Sequence, residues 1–360
     1  MNTSNFPGQY TIEIIDPHRQ PEWDAFVTAH PHGWVCHTAE WLMVVQHVWK
    51  NLKPHYIIVR DAAGSICAGI PLCITTSLSG RKRLICTPFS TLSDPLATSE
   101  SALHHLFSEL PRLLSQSNAS SLKLNTFQAT NSIPVGIFTR NDKHVHHAID
   151  LQLSEDELML SFNRSNVRNR ISKCLKSPLS IRYASSVNDF KQFYDLYVVN
   201  RQRLGLPAIP WKFFEGIWRY LKDRDWVELL LVYNEEEMVG GLLNLKYQKR
   251  ISAEVLAYKT EYTAMCPNHL LFWTTITAAK RAGKLEFDFG RTPLTETGLV
   301  KFKDHWTSKK TVLPTFIYPQ SELSDLHKNK PTMEFMRSML QRMPFPLYAG
   351  LSKLFYARPR

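Results

Sequence analysis

The sequence of 360 residues lacks most features that would assign it at a glance. Its six cysteines, Cys36, Cys67, Cys73, Cys86, Cys174 and Cys266, are scattered, with no C-x-x-C pair and no histidine partner at zinc-finger spacing. They read as reduced, small apolar residues of a cytosolic protein rather than a disulfide framework or a metal module. No apolar run approaches the roughly 18 residues that a transmembrane helix requires. The polar opening, Met1 to Tyr10, lacks the basic start and apolar stretch of a signal peptide. There is no low-complexity segment, no G-x-S-x-G elbow, no Cys and His arrangement suited to nucleophilic catalysis, and no glycine-rich phosphate loop. These absences lead to the expectation of a cytoplasmic protein that touches a membrane, if at all, from its inner face.

What is present is core material and positive charge. With 44% hydrophobic and 21% charged residues, the chain can bury a full core and is long enough for two domains. The 43 Lys and Arg against 32 Asp and Glu leave a formal charge of +11. That excess suits an anionic partner, such as a phosphate-bearing small molecule, RNA or an acidic membrane face. It equally suits a merely solvated surface.

A pattern repeats along the chain. Tyr56-Ile-Ile-Val-Arg60, the turn Asp61-Ala-Ala-Gly64 and a strand from Ser65 to Thr75 read as a hairpin. So do Glu228-Leu-Leu-Leu-Val-Tyr233, Asn234-Glu-Glu-Glu237 and Met238 to Lys246. A helical segment and a short strand follow each, Ser101 to Ser115 before Leu122 to Phe127, and His269 to Arg281 before Leu285 to Phe289. The offset stays within about 163 to 172 residues, as a duplicated α/β domain requires. The expected organisation is a mixed α/β chain with domains over 1–150 and 179–320, a basic connecting helix over 151–178 and a helical extension over 321–360.

The connecting helix is predicted from a capping box, Ser154 with Glu157, and from a stripe of Val167, Ile171 and Cys174. Arg168, Arg170 and Lys173 border that stripe, either as a solvated rim or as a ridge that holds substrate phosphates. In the extension, Met333, Met336, Leu340 and Met343 keep a helical stripe, and the aromatic, basic end runs from Leu354 to Arg360. It either packs on the main body or lies on a membrane surface.

The order of hairpin, crossing strand Ile251 to Lys259, helix from His269 and strand ending at Asp288 follows the GNAT acyltransferase fold. That fold places a donor's pyrophosphate at the helix start, here Met265-Cys-Pro-Asn268, where Pro267 suits the first turn and Asn268 is the expected cap. The missing glycine loop leaves an acyl-CoA donor open to question. Phe287-Asp-Phe-Gly-Arg-Thr292, followed by Gly298-Leu-Val-Lys-Phe-Lys-Asp-His-Trp306, is the densest segment. With Arg168-Asn-Arg-Ile171, Leu204-Gly-Leu-Pro207, Ile70-Pro-Leu72 and Thr87-Pro-Phe89, it resembles the FemAB family, including the FemAB-like acetyltransferase domains found beside exopolysaccharide systems. The similarity runs over about residues 20 to 320.

That resemblance implies two tandem GNAT-like domains and transfer of an acyl or aminoacyl group to an amine of a cell-envelope, polysaccharide or metabolite acceptor. The donor is then acyl-CoA or aminoacyl-tRNA, with no permanently bound cofactor. The Phe-Lys pair of the family falls on Phe302 and Lys303. A positioned ammonium stabilises the oxyanion that amine attack creates; the alternative for Lys303 is a surface lysine after a buried Phe302. Arg291, past a strand end, suits a phosphate or carboxylate, or an ion pair with Asp288 or Asp304. Asp288 and Asp304 are candidate proton acceptors. Tyr258 faces a cleft or the core. His144, His146 and His147 lack a further ligand at suitable spacing, so no metal site is expected. A second reading of the whole chain is a non-catalytic basic protein that binds RNA or membrane on a degenerate GNAT scaffold.

Overall fold

A computed structural model describes residues 10–76, 80–126, 129, 132–134, 136–306, 309–319 and 330–359, with backbone only for 330–333. Phe127, the Met333 side chain, residues 1–9 and Arg360 lie outside the described residues. The rest divides into two units, one of residues 10–142, 313–319 and 358–359, the other of 143–312 and 330–357.

The first unit begins with β1 (Thr11–Ile15), α1 (Pro21–Ala29) and α2 (Ala39–Val48), the last capped by Thr38, whose side chain accepts from Trp41 N–H. Then come β2 (Lys53–Pro54), β3 (Tyr56–Arg60), β4 (Ile66–Ile70), β5 (Leu72–Thr76), β6 (Lys82–Cys86), β7 (Leu96–Ala97), α3 (Glu100–Gln116), β8 (Ser121–Asn125) and β9 (Thr139–Asn141). The predicted hairpin forms as β3 with β4. Its second strand is shorter than expected, because Pro71 has no N–H to donate and divides β4 from β5, which belong to different sheets. The apolar face of α3, Leu103, Leu106, Phe107, Leu110 and Leu114, closes the core of this unit.

The second unit opens with β10 (His144–Asp150), α4 (Glu155–Ser161), a π-helical turn (Arg164–Arg168) and α5 (Asn169–Leu175). It continues through β11 (Leu179–Tyr183), α6 (Val187–Arg203), α7 (Trp211–Leu221), β12 (Val227–Asn234), β13 (Glu237–Tyr247) and β14 (Arg250–Tyr258). Next are α8 (Pro267–Arg281), β15 (Glu286–Pro293), α9 (Thr297–Asp304) and β16 (Lys309–Val312). These strands make one seven-stranded sheet in the order β11-β12-β13-β14-β15-β10-β16, parallel only between β14 and β15. The strand after β16, β17 (Thr315–Tyr318), pairs with β8 and β9 in the first unit.

Each unit therefore holds one parallel pair joined through a helix, β6 with β8 through α3 and β14 with β15 through α8. The strands do not follow the predicted boundaries, however. His144–Asp150, expected in the domain over 1–150, lies between β15 and β16 of the second unit, while Thr315–Tyr318, expected in the second domain, lies in the first.

The segment over 151–178 is likewise not a connector. Ser154 and Glu157 form the predicted capping box, but the helix stops at Phe162, which turns extended (ψ 150°) to bury its ring against Trp273 and Trp306. Asn163 then caps the next turn, its side-chain oxygen accepting from Asn166 N–H. Leu158, Phe162, Val167, Ile171 and Cys174 all lie in the core of the second unit with Phe272, Phe287 and Trp306.

The extension forms α10 (Lys330–Arg342) and α11 (Phe345–Phe355), docked on the turn between α6 and α7. Gln202 donates to Met343 O, Tyr348 Oη to Leu206 O, and Ala208 N to Ser352 Oγ. Gly205, at φ +64°, lies against the Arg337 backbone.

Candidate functional site

The site grows from the place where the two parallel strands part. β14 and β15 pair only at Arg250 with Glu286, Ile251 with Phe287 and Ser252 with Asp288. Just past that point each strand carries an irregularity on its other edge. On β14, Val255 pairs with Leu243 and Ala253 with Asn244, which leaves Glu254 as the extra residue of a bulge. On β15 the register with β10 slips between Asp288 and Arg291, where Gly290 takes φ +70°, a conformation that glycine adopts without steric cost. Bulges re-aim side chains and free backbone groups from the ladder. Here the freed groups are the carbonyls of Phe289 and Gly290.

Lys303 comes to those carbonyls from α9. Its ammonium donates to Phe289 O at 2.5 Å and to Gly290 O at 3.3 Å, and the residue is only 6% exposed. Burial brings its pKa down to about 8, while the neighbouring Asp288 and Glu254 carboxylates resist the fall. For Glu254 the same burial, with the charge of Asp288, pushes the carboxyl up to about 7 against a hydrogen bond from Ser252 and the pull of Lys303. Asp288 goes the other way. Burial opposes its charge, but His146 Nε2 at 2.8 Å, Arg250 and the Gly290 N–H hold it below the usual carboxylate range.

The α8 start borders this centre. Pro267 occupies the first helical position, and Cys266, at φ +57°, is the cap residue without a side-chain cap hydrogen bond. His269 Nε2 meets Asn166 O at 2.9 Å, which ties the basic turn Arg164–Arg168 to the helix start. Burial and the Arg170 charge take the His269 pKa to about 4, so the ring is neutral, and it stacks on Trp306 at 5.5 Å. The Arg168 Nε has no hydrogen-bond partner among the described residues. Helix N-termini with adjacent arginines attract phosphates through unsatisfied N–H groups and the helix dipole.

Residues 161–303 match the family model described as an acetyltransferase (GNAT) domain, a stretch that ends on Lys303 itself. This stretch of the chain is a GNAT-type acetyltransferase domain. The crystal structure of FemX superposes with a TM-score of 0.70 at 17% identity, covering 89% of this chain and all of that one. The structure of L-PGS from Bacillus licheniformis gives 0.56 at 13% identity, over 92% and 99% of the two chains. The C-terminal domain of a candidate lysylphosphatidylglycerol synthetase from Agrobacterium fabrum gives 0.57 at 13%, over 89% and 96%. At these identities the likeness is one of fold. No curated protein sequence matches the chain.

Within the GNAT domain, the residues singled out from sequence fall into three places. Lys303, Asp288 and the Phe302 ring lie around the bulges, with the burial of the pair reversed from the surface-lysine alternative: Lys303 is enclosed, whereas Phe302 is part-exposed and packs on His269, Phe272 and Trp306. Asn268 and Arg168 lie at or beside the α8 start, and Arg170 is near enough to act on His269. Asn268 is not the cap. Pro267 fixes the preceding position as the first of the helix, so Asn268 falls inside it and its Oδ1 contacts His269 Nδ1 at 3.0 Å. Tyr258 lies apart, four residues beyond Glu254, in a cleft of about 570 Å³ lined also by Asn200, Arg203 and Glu237. Its N–H donates to Asn200 Oδ1 at 3.4 Å.

Arg291 finds a partner in the histidine run. Its guanidinium meets the His144 ring at 2.9 Å, Asp288 is taken by His146, and Asp304 by His147 at 2.9 Å and Lys310. The histidine run thus supplies one partner each to three residues more than 140 positions away. Among the described residues no His, Cys, Asp and Glu group could hold a metal.

Sequence reasoning missed Glu254, His146 as the partner of Asp288, and His269. Glu254 left a signal, as the lone charge between Arg250 and Lys259 on an otherwise apolar and small-residue strand. His146 left none, because strand pairing alone brings it to Asp288.

Proposed function

We propose that the protein transfers an acyl or aminoacyl group from a phosphate-bearing donor to an amine, at the centre formed by Lys303 and Glu254. The carrying observation is geometric: at the parting of β14 and β15 the buried Lys303 ammonium is fixed on the carbonyls of Phe289 and Gly290, near enough to Glu254 for their charges to interact, and burial shifts Lys303 down and Glu254 up toward neutral pH. Catalytic groups function best with pKa values close to the working pH.

In this reading the amine attacks the carbonyl carbon of the donor's ester or thioester, the C–N bond forms, and the carbonyl oxygen becomes an oxyanion. Glu254 takes the proton lost by the nitrogen and returns it to the departing oxygen or sulfur as collapse of the oxyanion expels the alcohol or thiol. An ammonium has three donors. Two of those on Lys303 engage the bulge carbonyls, which hold the group in place, and the third is directed to the oxyanion, where it stabilises charge present mainly in the transition state. Asp288 acts as a positioning residue. Held by His146 and the Gly290 N–H, it is a poor base, but its charge keeps Lys303 protonated. Asp304, occupied by His147 and Lys310, is likewise a poor base.

The donor's phosphates would lie at the α8 start between Asn268, Arg168 and Arg170, and Phe302 would wall the reacting group from water. Arg291 would orient a carboxylate or phosphate of the acceptor, and Tyr258 would line its approach. The acceptor amine belongs to a cell-envelope, polysaccharide or metabolite molecule, reached from the cytoplasm at the inner face of the membrane. Thermal shift with acyl-CoAs and with charged tRNA separates the donors, since a ligand that binds only the native state raises apparent stability. A rise with neither class, at concentrations that saturate known transferases, removes the proposal.

A further inference from the structure

We infer that α10 and α11 form a docking surface for an anionic lipid membrane. The inference rests on the reading above, in which the acceptor is reached at the inner face of a membrane. The inner side of the helix pair is fixed by Leu340, buried, and by the hydrogen bonds of Met343, Tyr348 and Ser352 to the α6–α7 turn. The outer side is apolar and open. Phe335 is 71% exposed, Leu347 63% and Leu354 70%, with Met339 and Phe345 also exposed. Phe335 and Met339 are four residues apart on α10, and Leu347 and Leu354 seven apart on α11, so each pair shares a helix face.

The charge around these side chains identifies the occupant. Residues 330–359 contain five Lys and Arg against one acid, Glu334. Arg342 and Lys353 are exposed beside the apolar residues. A partner protein with an apolar patch would not call for that excess, whereas an amphipathic helix with cations flanking its apolar face suits the headgroup boundary of an anionic bilayer. No helix among the described residues is long and apolar enough to cross a membrane, so the contact is one of lying on the surface.

The surface is coupled in space to the proposed site. Arg337 on α10 forms an ion pair with Glu296, the residue before α9, and Lys303 lies on α9. The exposed Leu294 and Leu299 flank Glu296 in sequence. Docking through α10 and α11 therefore places the helix that carries Lys303 close to the lipid face.

Co-sedimentation with vesicles of phosphatidylglycerol and phosphatidylcholine, against vesicles of phosphatidylcholine alone, tests this. The full chain should bind the anionic vesicles, more weakly as salt rises. The double variant Leu347→Ser/Leu354→Ser should bind at least about tenfold less, and Lys353→Ala about fivefold less, with unchanged melting temperatures. Both variants should keep full transfer to a water-soluble amine. Binding equal to wild type in the double variant overturns the inference, as does wild-type protein left in the supernatant, or concentration-dependent self-association through this face without vesicle binding. Vesicle binding with no transfer activity sinks the transferase reading and leaves the docking surface standing; the reverse result sinks the surface alone.

Discussion

The ammonium of Lys303 is held by the carbonyl oxygens of Phe289 and Gly290, two backbone groups released from the sheet by a bulge at Gly290. A lysine so placed has its charge fixed in a buried position before any substrate arrives, which is the preorganisation that oxyanion stabilisation requires. Lys303→Ala should lower kcat by about 10² to 10³ with little change in KM. Retained activity in a variant that circular dichroism shows to be folded would remove Lys303 from the site.

Glu254 and Lys303 set a pH window. With its carboxyl raised to about 7, Glu254 accepts a proton only as pH passes upward through that value, and Lys303, near 8, loses its charge above it. A plot of kcat/KM against pH should be bell-shaped, with limbs near 7 and 8. Glu254→Gln should lose about 10² to 10⁴ in rate and the acidic limb with it. A variant that keeps both limbs would point to another base.

Lys303 also carries a stability signature. Its folded pKa, about 8, is below the ordinary lysine value of 10.5, so between the two the unfolded chain binds more protons than the folded one, and stability rises with pH. Across pH 8 to 10.5 the wild type should gain on Lys303→Met by about 3 kcal/mol. Urea denaturation of both proteins at the two ends of that range measures it; parallel curves would show that Lys303 titrates normally.

His146→Ala should destabilise the second unit by about 2 to 4 kcal/mol, because Asp288, 1% exposed, loses its histidine partner and keeps a buried charge. Asp288→Asn/His146→Ala should recover part of that loss. A single-variant cost below about 1 kcal/mol would mean that the Gly290 N–H and Arg250 suffice for Asp288.

Gly205→Ala probes the docking of the extension. A Cβ there would sit 2.5 Å from Arg337 O, and the φ of +64° disfavours any side chain. The expected loss is about 1 to 3 kcal/mol, read by chemical denaturation. A neutral result would show that α10 moves aside freely.

The periodic parts of this fold were legible in the chain. The two hairpins, the helices after them and the Ser154–Glu157 capping box depend on residues a few positions apart, where alternation, 3.6-residue spacing and cap chemistry act. The stripe of Val167, Ile171 and Cys174 was visible for the same reason. Lys303 was singled out only through its resemblance to a family pattern, since nothing local distinguishes it from Lys301.

Tertiary structure decided what depends on pairing between distant strands. The exchange of β10 and β17 between units, the stop at Phe162 where a ring finds Trp273 and Trp306, and the meeting of His146 with Asp288 have no local signature. The same holds for the bulges. Glu254 becomes the extra residue of β14 only because Val255 and Ala253 both find partners on β13. The sequence by itself determined the two hairpins, the helices after them and the capping box, because backbone sterics and burial of one face act over a few residues. Only the folded sheet decided that a buried lysine, two freed carbonyls and a glutamate share one place, because burial and charge at that place are set by groups distant along the chain.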